Sequence, residues 1–140
     1  MKKGLFLVSI VVMMVSVTLS GCQTNSVKTQ KTPQNVFLDS TIVEFANVSY
    51  EKKVNRSGVI EAVVVGWMFH NIAGKTINVK INIKFYDKNN NFLYNESKNF
   101  YNFLADYTER YFSPVYNRVT YNGPGAQFVD HVVISVTEIT

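Results

Sequence analysis

The chain has 140 residues, 14 Lys and Arg against 10 Asp and Glu, a formal net charge of +4 and a single cysteine. One cysteine excludes an intrachain disulfide scaffold, and this length supplies one hydrophobic core rather than two. Lys52, Lys53, Lys80, Lys84 and Lys88 are scattered among acids and amides instead of forming a basic stripe, so no nucleic-acid partner is expected.

Lys2 and Lys3 precede an apolar stretch from Gly4 to Leu19. That is signal-peptide form, and it is shorter than the roughly 20 residues of a membrane-spanning helix. Cleavage is expected rather than spanning. Leu19-Ser20-Gly21-Cys22 resembles the bacterial lipobox. The resemblance implies that the Cys22 thiol takes a diacylglycerol and that the chain is cut before Cys22, making residues 1–21 a lipoprotein signal peptide. Each buried CH₂ of an acyl chain adds about 0.8 kcal/mol, so two or three chains form a durable anchor and the membrane becomes a partner. Without Lys2 and Lys3, twelve bases face ten acids and the charge falls near +2. The expected location is the bacterial cell envelope. In an enteric Gram-negative host, Gln23 after the cysteine implies the outer membrane facing the periplasm.

Residues 22–35 are Thr, Asn, Ser, Lys, Gln and Pro-rich with Val27 as the one apolar side chain after Cys22, which is a linker composition. As a coil it reaches about 20 Å. Residues 36–140 form the folded domain.

An early strand carries Val43, Phe45, Val48 and Tyr50, and its phase slips at Ala46-Asn47, which predicts a bulge. Val59 to Phe69 is rich in β-branched and aromatic residues on both faces, so it is expected at the centre of a sheet, its second face covered or offered to a partner. Ile77, Val79, Ile81, Ile83 and Phe85 alternate with Asn78, Lys80, Asn82, Lys84 and Tyr86, a half-buried strand. Asp87 to Asn91 turns it into a return strand beginning at Phe92. Phe100 to Tyr116 is ambiguous, since Phe100, Phe103, Leu104, Tyr107 and Tyr111 have helical spacing while Tyr111, Phe112, Val115 and Tyr116 suit a strand. A loop or helical turn followed by a strand is expected there. Asn122-Gly123-Pro124-Gly125 marks a turn, and Val132, Ile134 and Val136 alternate in a closing strand. Six or seven short strands in one domain predict an all-β, two-sheet sandwich.

Gly66, Asn71 and the alternating run into Phe85-Tyr86-Asp87 resemble the FxLYD-type domains and the small YcfL-like periplasmic lipoproteins, both immunoglobulin-like. Tyr86 and Asp87 match the motif's final pair, while Phe85 stands where Leu is usual and Ile83 where Phe is usual. The resemblance implies an immunoglobulin-like sandwich and no catalytic residue.

His70, His131, Asp130, Glu61 and Asp87 could seed a metal or acid-base site, yet none has the H-x-x-x-H or H-E-x-x-H spacing. Strand alternation predicts that Asp130 and His131 point to opposite faces. No Gly-x-Ser-x-Gly elbow, phosphate-binding glycine loop or Cys-x-x-Cys occurs, so a non-enzyme without cofactor or metal is expected. The region from Phe85 to Tyr121 is dense in Phe and Tyr, and tyrosine offers apolar area with a polar tip. Tyr86, Tyr94, Tyr101, Tyr107 and Tyr116 are the candidate partner-binding residues, for an envelope protein or, alternatively, for a small ligand, glycan or lipid headgroup.

Overall fold

The computed structural model describes residues 33–107 and 117–140, and the account of the fold is confined to them. Seven strands appear in order: β1 (Val36–Asp39), β2 (Val43–Val54), β3 (Ile60–Asn71), β4 (Ile77–Asp87), β5 (Phe92–Phe103), β6 (Arg118–Tyr121) and β7 (Val129–Glu138), with one 3₁₀ turn at Ala126–Phe128. They make a four-stranded sheet, β1-β7-β4-β5, and a three-stranded sheet, β2-β3-β6. β3 and β4 follow one another but lie in different sheets, and they pair antiparallel with β6 and β7 respectively. The chain is therefore an all-β two-sheet sandwich with a Greek-key crossing, as in immunoglobulin-like domains. β1 closes the larger sheet by running parallel to β7.

Period-two alternation drives the assembly. Ile77, Val79, Ile81, Ile83 and Phe85 of β4 face inward with Val132, Ile134 and Val136 of β7, against Val63, Val65, Trp67 and Phe69 of β3. Each such large side chain contributes on the order of 2 kcal/mol by leaving water.

β3 does occupy the centre of its sheet. Its second face is partly covered from within. Glu51 of β2 stands opposite Val64, and Arg118 of β6 stands opposite Gly66. The Arg118 Nη2 to Glu51 Oε2 pair, at 3.8 Å, therefore passes over β3 where Gly66 has no side chain to obstruct it.

The slip at Ala46-Asn47 is a bulge, since Phe45 pairs with Phe69 and Asn47 with Met68. The helical spacing of Phe100 and Phe103 has a different cause from the one expected. β5 runs through both, and an irregularity opposite Asn78 leaves Tyr101 and Asn102 between them, with Asn102 at φ 57°. The extra residue lets both phenylalanines turn toward the interior three positions apart. The strand expected over Tyr111 to Tyr116 lies outside the described residues. β1 and β6, four residues each, are strands that alternation had not marked.

Buried Asn71 ties the far end together. Its Nδ2 lies 2.9 Å from the carbonyl oxygens of Lys75, Phe103 and Leu104, and its Oδ1 accepts the Ala73 N–H at 2.8 Å.

Candidate functional site: an aromatic row across the four-stranded sheet

The β4–β5 turn is built on Asp87. Its Oδ1 accepts the N–H groups of Asn89 and Asn91, and its Oδ2 accepts Asn91 Nδ2. The Asn91 side-chain bond, ahead of the backbone bonds, holds the carboxyl below its ordinary pKa. Asn90 takes the left-handed conformation at φ 62°, which Asn tolerates. This turn delivers Phe92 opposite Tyr86.

Across β4 from Phe92, β7 carries a bulge. Tyr86 pairs with His131 and Asp87 with Val129, so Asp130 is the extra residue. Alternation consequently fails at this step. Asp130 and His131 were expected on opposite faces, whereas His131 Nδ1 lies 3.0 Å from Asp130 Oδ2. A carboxylate only accepts, so Nδ1 carries the hydrogen. The Asp130 carbonyl accepts Asn35 Nδ2 at 2.7 Å, which satisfies the bulge's backbone.

Pinned in this way, the imidazole stacks on Tyr86 with centroids 5.4 Å apart and planes at 13°. Phe37 of β1 meets His131 edge-on at 5.9 Å, and Phe92 meets Tyr86 edge-on at 6.2 Å. Four rings thus cross all four strands on the outer face of the sheet, spanning about 15 Å at the usual strand spacing. Phe37 and Phe92, at the two ends, are 52% and 57% exposed. Next to the row, Lys84 of β4 sits between Val133 and Asn95.

Beside the row an open cleft of about 390 Å³ is lined by residues including Lys52, Lys88, Gln127, Phe128 and Asp130. Lys52 is committed at its rim, donating to the Val129 carbonyl at 2.7 Å. Beneath it the Tyr50 hydroxyl is buried without a hydrogen-bond partner, and burial, reinforced by the Asp130 charge, pushes its pKa up to about 12.

The tyrosines singled out from sequence do not converge. Tyr86 joins the row. Tyr94 faces the interior and stacks on Tyr121 at 4.7 Å, where burial first and Glu96 second raise its pKa. Tyr101 and Tyr107 are exposed at the opposite end of β5, with Tyr101 about 30 Å along the strand from Phe92. Tyr116 lies outside the described residues, as does Cys22. Phe37, Phe92 and His131 were not foreseen as row members, and the available signal was that Tyr86 sits on the polar phase of β4.

His70 faces outward from the three-stranded sheet and His131 from the four-stranded one, so the core separates them. Among the described residues no three His, Cys, Asp or Glu side chains group closely enough to hold a metal ion.

The fold and surface define the chain as an all-β two-sheet sandwich. No family model matches it, and no curated protein does. Among solved structures it is similar to the crystal structure of Campylobacter jejuni cj0090, at 10% identity over 76% of this chain and 100% of that one, with a TM-score of 0.39.

Proposed function

We propose that the chain is a lipid-anchored envelope lipoprotein, attached through Cys22, whose sandwich is a non-enzymatic accessory module that binds another envelope protein. The aromatic row Phe37–His131–Tyr86–Phe92 carries the reading. An unbroken run of rings with exposed ends suits a protein surface, since interfaces are enriched in aromatics, and the adjoining cleft is lined by neither Tyr101 nor Tyr107. The lipobox resemblance of Leu19-Ser20-Gly21-Cys22 and the likeness of Gly66, Asn71 and Tyr86-Asp87 to FxLYD-type and YcfL-like lipoproteins support the envelope setting.

The alternative, binding of a small ligand, glycan or lipid headgroup, draws on the cleft beside the row, where Phe128 is 60% exposed next to Lys88 and Gln127. In-cell crosslinking from photoreactive groups at Phe37, Tyr86 and Phe92, with Tyr101 as the distant control, separates the two. One dominant protein adduct, absent from the control, is expected. Adducts equal at all four positions, or none above background, would remove the row from the proposal. Anchoring has its own test: Cys22→Ser is expected to leave a folded protein that no longer sediments with membranes.

A further inference from the structure

β5 is an edge strand of twelve residues, and among the described residues no strand pairs with its outer side. Long unpaired edges template further pairing, and proteins ordinarily blunt them. The other three edges here are blunted. β1 and β6 are four residues long, while β2 is broken by its bulge at Ala46 and bears Glu51, Lys52 and Lys53. β5 is neither short nor bulged in its middle, and the two charges it carries there, Glu96 and Lys98, are of opposite sign. Its two irregularities fall on either side of Tyr94–Phe100, and from Phe85↔Tyr94 to Val79↔Phe100 its register with β4 is unbroken.

That regular span reads Tyr94-Asn95-Glu96-Ser97-Lys98-Asn99-Phe100, which is chemically symmetric about Ser97. If the strand lies antiparallel against another copy of itself with Ser97 on the two-fold axis, Glu96 meets Lys98, Asn95 meets Asn99, and Tyr94 meets Phe100. Each pair occurs twice. Directly opposed residues share a face, so the aromatic and charged pairs fall on the inner side and the amides on the outer side. Within one chain Glu96 and Lys98 already lie 3.5 Å apart, with side chains 35% and 20% exposed, and Lys98 Nζ also donates to the Arg118 carbonyl of β6 at 2.8 Å, so the charges are held against the fold rather than swung into solvent.

We infer that β5 is a self-pairing edge: two copies of this chain join antiparallel through Tyr94–Phe100, centred on Ser97, into one continuous eight-stranded sheet. The interface is isologous, as a two-fold dimer requires. It uses the edge of the sheet and leaves the aromatic row on its outer face free, so it stands independently of the proposed function.

The test uses the full chain carrying Ser97→Cys, oxidised in whole cells and run on a non-reducing gel. Opposed Cα atoms in an antiparallel pair lie within disulfide reach, at about 4.5 or 5.5 Å. A covalent dimer is expected from Ser97→Cys. Ser135→Cys, on central β7, and the unaltered chain are expected to give none. Adding Glu96→Lys, or separately Lys98→Glu, places like charges opposite each other twice and should cut the dimer several-fold. Mixing these two variants should restore it, because each supplies the charge the other lacks. Both variants lose the internal Glu96–Lys98 pair, so recovery on mixing comes from contacts between chains. No dimer from Ser97→Cys, or no recovery on mixing, would overturn the inference.

Discussion

Replacing Asn71 with alanine removes a side chain whose every polar atom is engaged. Nδ2 has two hydrogens and three carbonyl oxygens at 2.9 Å, so one hydrogen is shared, and Oδ1 holds the Ala73 N–H. Truncation leaves the Phe103 carbonyl buried without this donor, while the Lys75 and Leu104 carbonyls, nearer the surface, regain partial hydration. At about 1–3 kcal/mol for a stranded buried group and less for a rehydrated one, the expected loss is about 3 kcal/mol. Against the roughly 5–15 kcal/mol of a domain this size, the midpoint temperature should fall by on the order of 15 °C. Urea unfolding followed by the fluorescence of Trp67, the single tryptophan and fully buried, reads the change directly. The slope of the transition should be unchanged while its midpoint moves. Asn71→Asp is the decisive companion: it keeps the volume and the acceptor for Ala73 but offers carboxylate oxygens to three carbonyls. It should cost at least as much as alanine. If Asn71→Asp lies within about 0.5 kcal/mol of the unaltered chain, hydrogen bonding at this node is not what stabilises it, and the argument fails.

Because the folded-state pKa of Asp87 is lowered, its contribution is present above the ordinary carboxyl value of 3.8 and is lost as pH falls through the lowered value. Asp87→Asn should therefore flatten part of the acid limb in urea midpoints measured from pH 6 down to pH 2; an unchanged limb would contradict the turn's role. Tyr50 behaves oppositely in pH, since a pKa raised to about 12 keeps its stabilisation intact below pH 10 and loses it between there and about 12. Tyr50→Phe, which deletes a buried hydroxyl without a partner, should be neutral or stabilising by up to about 1 kcal/mol in the same urea assay. At Gly125 a Cβ would stand 2.6 Å from the Tyr121 hydroxyl, which itself accepts the Gly125 N–H, so Gly125→Ala should destabilise by about 1–3 kcal/mol; no change would mean that the ring moves freely.

Alternation revealed β4, β3 showed through its β-branched and aromatic residues on both faces, and the slip at Ala46-Asn47 announced its own bulge. β1 and β6 are too short for a period of two to register. The ambiguity at Phe100 and Phe103 arose because one added residue in a strand produces the three-residue spacing of a helix. The aromatic row was hidden for another reason. Tyr86 lies 45 positions from His131 and 49 from Phe37, and only the register between β4, β7 and β1 brings their rings together.

The bulge at Asp130 shows how one irregularity serves both the core and the surface. Val129 and Val132 are both buried yet stand three positions apart, a spacing that regular alternation would assign to opposite faces. Holding Asp130 outside the ladder as a bulge resolves the conflict, and Asn35 satisfies the carbonyl this frees. The same bulge brings the Asp130 carboxylate beside the His131 ring and fixes the orientation in which that ring lies on Tyr86. Were Asp130 held in the ladder instead, either Val129 would leave the core or His131 would leave the outer face. The requirement of the interior thus sets the continuity of the row outside it, and a change at Asp130 should be felt in both.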